Sequence, residues 1–554
     1  MGTCRGSPVL ALASHDEERK PRSYTPSIWG DFFLKHQPCT PSQLVSMKER
    51  ARSKQEEVRQ ILLDTIAASS ELVHKLELVD TLQRIGVDYH YKKEIDELLR
   101  DVVHDPQHEE GCDDDELYVV SLRFYLLRKH GYNVSSDVFV KFKDDCGNFA
   151  SNDVKCLLAL YDAANLRTRG EEILNSAVVF IRSRLQSMMK TLDDPELAAE
   201  VEYTLETPSY RRVERVEARR YISLYEKKVT RNDTILEFAK LDYNILQALY
   251  CEELKVLTAW WKGLQSQACV RFARDRVPEM HFWMLGIIQE PRQSYARIAL
   301  TKCFKLVSLM DDLCDNYSTT EEYEIFMTSL ERWDKQAAEK MPAYMKDLFI
   351  FILNTINDIM EELKLQKNNH AEFVKELFID TVKRYGAERK WCDERYVPAK
   401  IEEHLQISVA SSACMHLANI TFVLMGDVTT GEAIEWAFSY PEMIRAACIV
   451  ARVCNDIMSH EREQASKHVA STVQTCMKEY GMTVHQAYEK LGDLIDEAWM
   501  DIVQGCLDQY YPMEHLEKVV NIARGMDHMY KRDDAYTHPH SLKDTITSMY
   551  VNSV

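Results

Sequence analysis

Apolar residues recur along most of this chain at intervals of three and four, the spacing that gathers them on one face of an α-helix. In the first part the periodicity predicts helices over 43–65, 70–85, 117–130, 135–142, 151–164 and 169–185, interrupted at Gly86, Gly131 and Gly147. A polar stretch, Lys228-Val229-Thr230-Arg231-Asn232-Asp233, separates these from a second succession with denser apolar periodicity. There the predicted helices are 234–249, 252–264, 278–287, 294–312, 320–336, 342–364, 368–390, 401–417, 431–437, 441–459 and 484–507. Alternating, strand-like runs are few. The expected fold class is all-α, with a disordered tail at 1–20 and two helical domains at 21–235 and 236–554. A ligand pocket is expected inside the second bundle.

Composition supports that class, since a chain of 554 residues with only 17 Gly and 15 Pro has few breakers. The formal charge of −20 argues against nucleic acid as a partner, because a phosphate-binding surface needs clustered Lys and Arg. Fifteen cysteines are scattered without CxxC pairs and read as reduced thiols, which points to the cytoplasm. The apolar run Val9–Ala13 soon meets Asp16, Glu17 and Glu18, too acidic for a plastid transit peptide. That run and Leu348–Leu353 are too short to span a membrane, so no integral membrane segment is expected. The acidic run Asp113-Asp114-Asp115-Glu116 directly precedes a predicted helix and reads as its N-terminal dipole partner.

Chemistry gathers at three places. Asp311 and Asp315, four residues apart behind an apolar run, share a helix face, with Asp312 about 100° round from Asp311. Carboxylates this close raise one another's pKa unless a cation sits among them, and hard oxygen ligands suit Mg²⁺. Alone, the group also fits a solvated acidic helix end. Further on, Arg452, Asn455, Ser459 and Glu463 fall within a stripe of roughly 80° and offer amide, hydroxyl and carboxylate oxygens beside an arginine. Lys467 extends that stripe by another four residues. Upstream, Arg274 and Arg276 alternate before Pro278, so both can aim at one anion, although taken by themselves they read first as surface salt bridges.

The motifs DDxxD at 311–315 and (N/D)DxxSxxxE at 455–463 resemble the two metal-binding motifs of class I terpene synthases, specifically plant sesquiterpene synthases. The likeness runs from Ser27-Ile28-Trp29-Gly30-Asp31 to Tyr536-Thr537-His538-Pro539. It implies a class I terpenoid synthase bundle on the C-terminal side and an α-barrel-like N-terminal domain. It also implies three Mg²⁺ ions, with Mn²⁺ able to substitute, held by Asp311, Asp312, Asp315, Asn455, Ser459 and Glu463. Arg274, Arg276 and Arg452 would take the diphosphate of a prenyl diphosphate substrate, with Lys467 standing where the family has Arg-Gly. Trp283 falls at the family's pocket-tryptophan position, for which a buried core tryptophan is the competing account. Asp534 and Tyr536 fall on the loop that closes the mouth, and Ser411–Cys414 where a helix breaks. Arg19-Lys20 followed by Trp29 is a relaxed form of the family's amino-terminal arm.

The expected activity is ionisation of farnesyl diphosphate with cyclisation of the C15 cation to a hydrocarbon or alcohol, by a cytoplasmic monomer. The rivals are a monoterpene or acyclic-product synthase of the same fold and, from another class, a non-catalytic helical scaffold. A chain-elongating prenyltransferase would carry a second aspartate-rich motif where Asn455, Ser459 and Glu463 stand.

Overall fold

The polar segment at 228–232 ends in a helix cap. In the computed structural model, Asn232 Oδ1 accepts hydrogen bonds from the backbone N–H groups of Thr234 (3.0 Å) and Ile235 (3.2 Å). From there Asp233–Gln267 runs as one helix of 35 residues. The described residues are 24–554 apart from 69–70, 105–113, 145–147, 150, 269, 395, 427–428 and 465–469. They are almost entirely helical, with one isolated bridge, Lys143 to Phe149, and no sheet.

The break expected at 250–251 is absent. Tyr250, Cys251, Glu253 and Leu254 are all buried there, and nothing in the segment interrupts the backbone hydrogen bonds. This helix packs along Pro41–Ala67 in the N-terminal part. Phe238 meets the rings of His90 and Tyr91, and Asp242 accepts from the Tyr89 hydroxyl at 2.7 Å. One element therefore lies in the cores of both halves.

In the second half, Val277–Ile287, Ser294–Asn316, Phe373–Glu394, Glu442–Gln464 and Met513–Met529 pack around a central space, and Val484–Leu507 packs against Glu442–Gln464. Two of them run further than their periodicity predicts. Ser294–Asn316 carries the whole acidic motif on its last turns, and Glu442–Gln464 carries the whole second motif. Two helices missing from the predicted set are Thr472–Tyr480, opened by a Ser471–Gln474 capping box, and Met513–Met529, started after Pro512, although Leu516, Val519, Val520, Ala523 and Met526 carry the helical spacing in the second.

The predicted helix 401–417 is broken. Ile401–Ser411 stops and Cys414–Leu424 restarts after Ala413, which takes a left-handed φ of 61°. Among the described residues, Ile401–Leu424 is the one stretch long and apolar enough to cross a membrane, and 78% of its most apolar window is buried within the bundle.

Both ends of the described chain meet at the bundle. Phe33 packs against Tyr550, whose carbonyl lies 3.1 Å from His36 Nε2. The Tyr550 hydroxyl lies 2.9 Å from His281 Nδ1, and His281 Nε2 lies 2.8 Å from Glu253. Arg297 donates to the same buried carboxylate at 2.5 and 2.8 Å. Burial pushes the Glu253 carboxyl up, but the hydrogen bonds from His281 and Arg297 outweigh it and hold it at about 2.

Candidate active site

A cavity of about 580 Å³ opens between the two motif-bearing helices. From Ser294–Asn316 come Phe304, Val307, Ser308, Asp311 and Asp315; from Glu442–Gln464 come Ala451, Arg452, Asn455, Arg462 and Glu463. On the first helix the acidic residues therefore lie beyond the apolar ones, so the cavity has a charged end and an apolar depth. Met280, Trp283, Met284, Leu417 and Met526 complete that depth, with the broken segment Ser411–Cys414 beside them.

The three aspartates do not act alike. Asp311 and Asp315 line the cavity, whereas Asp312 is fully buried and turned toward the loop before Val277–Ile287. There it accepts from the Arg274 backbone N–H at 2.9 Å and lies 2.9 Å from Arg274 Nε. The reason is the 100° step per residue, which carries Asp312 off the face shared by its neighbours. In this structure Asp312 anchors the arginine loop and does not face the cavity that Asp311 and Asp315 line. Lys305 holds the same loop from the other side, donating to the Arg274 carbonyl at 2.7 Å over the Trp261 ring. Burial pushes its ammonium down to about 8.

The two alternating arginines also part company. Arg274 lines the cavity and donates to Asp311 at 2.7 Å, with its guanidinium over the Tyr24 and Tyr536 rings. Arg276 is fully buried and its donors go to backbone carbonyls: Tyr536 at 3.0 Å, Thr25 at 2.7 Å, Thr537 at 3.1 Å and Asp275 at 2.8 Å. It is not among the residues that line the cavity, and in this structure it straps the amino-terminal arm to the 534–538 loop. No local pattern reveals this, because the carbonyls it ties lie more than 250 residues away in both directions.

On the opposite wall, Arg452 lines the cavity with its Nε on the Ser408 carbonyl at 3.1 Å. Asn455 and Glu463 also line it, and Ser459 is buried between them with its Oγ lacking a hydrogen-bond partner. Asp456 points the other way and caps Thr472, accepting from its N–H at 2.7 Å and its hydroxyl at 2.8 Å. Lys467 lies outside the described residues, as does the Arg19-Lys20 arm. Arg462, absent from the sequence-derived set, lines the cavity and donates to Asp534 at 2.7 Å. The signal for it was available: seven residues after Asn455 is about 20° from it on a helix.

Trp283, Tyr530 and Tyr536 form an aromatic wall, with the Trp283 ring 5.9 Å from Tyr530 and 6.0 Å from Tyr536. The indole lines the cavity, which favours the pocket account of Trp283 over the core account. The Tyr536 hydroxyl donates to Ser308 Oγ at 2.8 Å. Asp534 is buried; burial pushes its carboxyl up, but Arg462, Arg274 and the Thr537 contacts hold it below the usual range.

The donor set suits a hard divalent cation. Asp311, Asp315, Asn455 and Glu463 line one cavity, and the Ser459 Oγ, on the helix that carries Asn455 and Glu463, is a buried oxygen with no hydrogen-bond partner. Among the described residues no three His, Cys, Asp or Glu side chains cluster tightly enough to hold an ion alone. The carboxylates stand on opposite walls, so an ion would complete its shell from water and a bound polyanion, as Mg²⁺ commonly does.

Comparison with known proteins agrees with this architecture at both ends. Residues 28–205 match the terpene synthase N-terminal domain and residues 262–501 the metal-binding domain of the terpene synthase family. The chain is 51% identical over 543 residues to the (E)-beta-caryophyllene synthase of Zea mays, covering 98% of each. It is 46% identical over 539 residues to the zingiberene synthase of Sorghum bicolor, covering 97% of each. Isoprene synthase from grey poplar, solved with three Mg²⁺ ions and dimethylallyl-S-thiolodiphosphate, superposes with a TM-score of 0.85 at 31% identity over 95% of this chain and 99% of that one. The metal-binding domain matched at 262–501 spans both motif-bearing helices, Ser294–Asn316 and Glu442–Gln464, and the chain belongs to the terpene synthase family.

Proposed function

We propose that this protein is a Mg²⁺-dependent sesquiterpene synthase that ionises farnesyl diphosphate and closes the C15 cation into a cyclic hydrocarbon or alcohol, releasing diphosphate. The observation that carries the reading is one cavity whose one end is lined by both carboxylate and guanidinium groups and whose depth is apolar and aromatic. The C15 length is supported by the relatives, whose named products, caryophyllene and zingiberene, are C15 compounds.

Asp311 and Asp315 on one wall and Asn455, Ser459 and Glu463 on the other would hold the ions. Bound there, Mg²⁺ supplies the positive charge that turns diphosphate into a leaving group. Arg452 and Arg462 present guanidinium forks from the cavity wall to the phosphate oxygens, and Arg274 adds a third from the loop. When the C–O bond breaks, the allylic cation faces Trp283, Tyr530 and Tyr536, whose ring faces stabilise positive charge without offering a nucleophile. Tyr24–Thr25 and the 534–538 loop, strapped together through Arg276, stand over the charged end and keep water from the cation. We take the monomer as the working unit. We place it in the cytoplasm on the pattern of its fifteen cysteines, scattered without CxxC pairs as reduced thiols are.

The test is product analysis by gas chromatography and mass spectrometry, with Mg²⁺ and farnesyl, geranyl or geranylgeranyl diphosphate supplied in parallel. A C15 product from farnesyl diphosphate, lost in Asp311→Ala, is expected. Turnover of geranyl diphosphate alone would replace the reading with a monoterpene synthase, and no turnover of any of the three by folded protein would overturn it.

A further inference from the structure

Gly525 sits in the middle of the Met513–Met529 helix with ordinary helical geometry, a place where glycine is costly relative to alanine and where no backbone conformation requires it. What a side chain there would meet supplies a reason. A Cβ built on Gly525 lies 3.2 Å from Trp283 Cδ1 and 3.3 Å from Nε1, with nothing else within 4 Å. Carbon atoms rest at about 3.5–4.0 Å, so even a methyl group requires the indole to move by a few tenths of an ångström.

The direction of that movement is constrained. Tyr530 and Tyr536 stand against the indole. Tyr536 is held at both ends, its hydroxyl on Ser308 Oγ at 2.8 Å and its carbonyl under Arg276 Nε at 3.0 Å. The indole has no hydrogen bond to hold it, since Nε1 is buried without a partner. The remaining open side is the cavity that Trp283 lines.

We infer that Gly525 is a specificity-determining position, one that touches no substrate but sets the depth of the aromatic wall by letting Trp283 lie against the helix backbone. The inference rests on the proposed function and goes further. A cation folding in a water-excluded pocket reacts according to the conformer the walls permit. Displacing one wall changes which carbons meet while leaving the diphosphate end untouched. In closely fitted apolar pockets a single methylene discriminates by about 10–200-fold.

The experiment compares Gly525→Ala and Gly525→Val with wild type by product profile from farnesyl diphosphate, KM and melting temperature. Gly492→Ala is the control, because a Cβ at that helical glycine meets nothing within 4 Å. The expected result for Gly525→Ala is a change of about threefold or more in the ratio of major to minor products, KM within about twofold of wild type, and a melting temperature equal or higher, since alanine favours the helix. Gly525→Val shifts the ratio further, and Gly492→Ala leaves it unchanged. In a Trp283→Phe background, Gly525→Ala adds nothing more, because the atoms it would push are gone. An unchanged profile in both Gly525 variants, or an equal shift in the Gly492 control, overturns the inference. If the wild type makes no product from farnesyl diphosphate, the functional reading fails first and takes this inference with it.

Discussion

Arg462 Nη1 lies 2.7 Å from Asp534 Oδ2, an ion pair that joins the second metal-motif helix to the loop at the cavity's charged end. Asp534 is buried, so removing the guanidinium leaves a carboxylate short of a partner in a dry place. Arg462→Ala is expected to lower kcat/KM for farnesyl diphosphate by about 10²-fold, or roughly 3 kcal/mol, with Arg462→Lys recovering part of the loss. Steady-state kinetics at pH 7 decide it. A kcat/KM within about threefold of wild type in the alanine variant would show that the pair has no share in closing the mouth.

Ser459 offers a test of the metal site that separates binding from folding. Its Oγ is buried and unpartnered without an ion, so Ser459→Ala removes an unsatisfied polar atom and should leave the metal-free protein as stable or about 1 kcal/mol more so. The same change removes an oxygen from the donor set and should weaken Mg²⁺ binding about tenfold. Thermal melts with and without Mg²⁺ and inorganic diphosphate measure both effects. A destabilised metal-free variant would mean that the hydroxyl already has a structural partner.

Arg276 is expected to fail as a lysine. An ammonium has three donors on one atom, whereas the guanidinium reaches carbonyls at Thr25, Tyr536 and Thr537 at once. Arg276→Lys should therefore speed proteolysis between Tyr24 and Trp29 at least severalfold under native conditions, along with a loss of kcat. Unchanged cleavage of the arm together with a raised KM would return Arg276 to the diphosphate.

Two buried glutamates give opposite pH slopes. Glu253 is held at about 2, below the ordinary 4.5, so the unfolded chain binds its proton more readily; this contribution is complete above pH 4.5 and is lost as pH falls toward 2. Glu279, fully buried beside Arg276 and Trp29, is pushed by burial to about 7, so the folded chain binds the proton more readily; stability falls as pH rises from 4.5 through 7. Urea midpoints from pH 3 to 8 should show the alkaline decline flattened in Glu279→Gln and the acid decline reduced in Glu253→Gln. Parallel curves for Glu279→Gln and wild type would show that the carboxylate has found solvent.

How far the site can be read from sequence follows from the range over which a residue's partner is set. Helix arithmetic alone places Asp311 with Asp315 and Asn455 with Ser459 and Glu463, because each set lies within a few turns. The same arithmetic also places Arg462 on that face and turns Asp312 away, and a motif match conceals both. Arg276 is a different case: its direction depends on where the 534–538 loop and the Tyr24–Thr25 arm come to rest, which nothing near position 276 specifies. The merged Asp233–Gln267 helix shows a further limit, since its unbroken middle is set by burial between two halves of the chain.

The docking of Phe33 and His36 on Tyr550 bears on how the protein comes into being. One part of that seat, Asp233–Gln267, is available early, but His36 and the Tyr550 carbonyl are 514 residues apart. At a synthesis rate of about 5–20 residues per second, the aromatic cluster of Trp29, Phe32 and Phe33 waits roughly half a minute or longer for its last partner. Until the Lys543–Tyr550 helix is made, Phe33 lacks the Tyr550 ring and His36 lacks the Tyr550 carbonyl, so the arm gains its last two contacts only as the chain is finished.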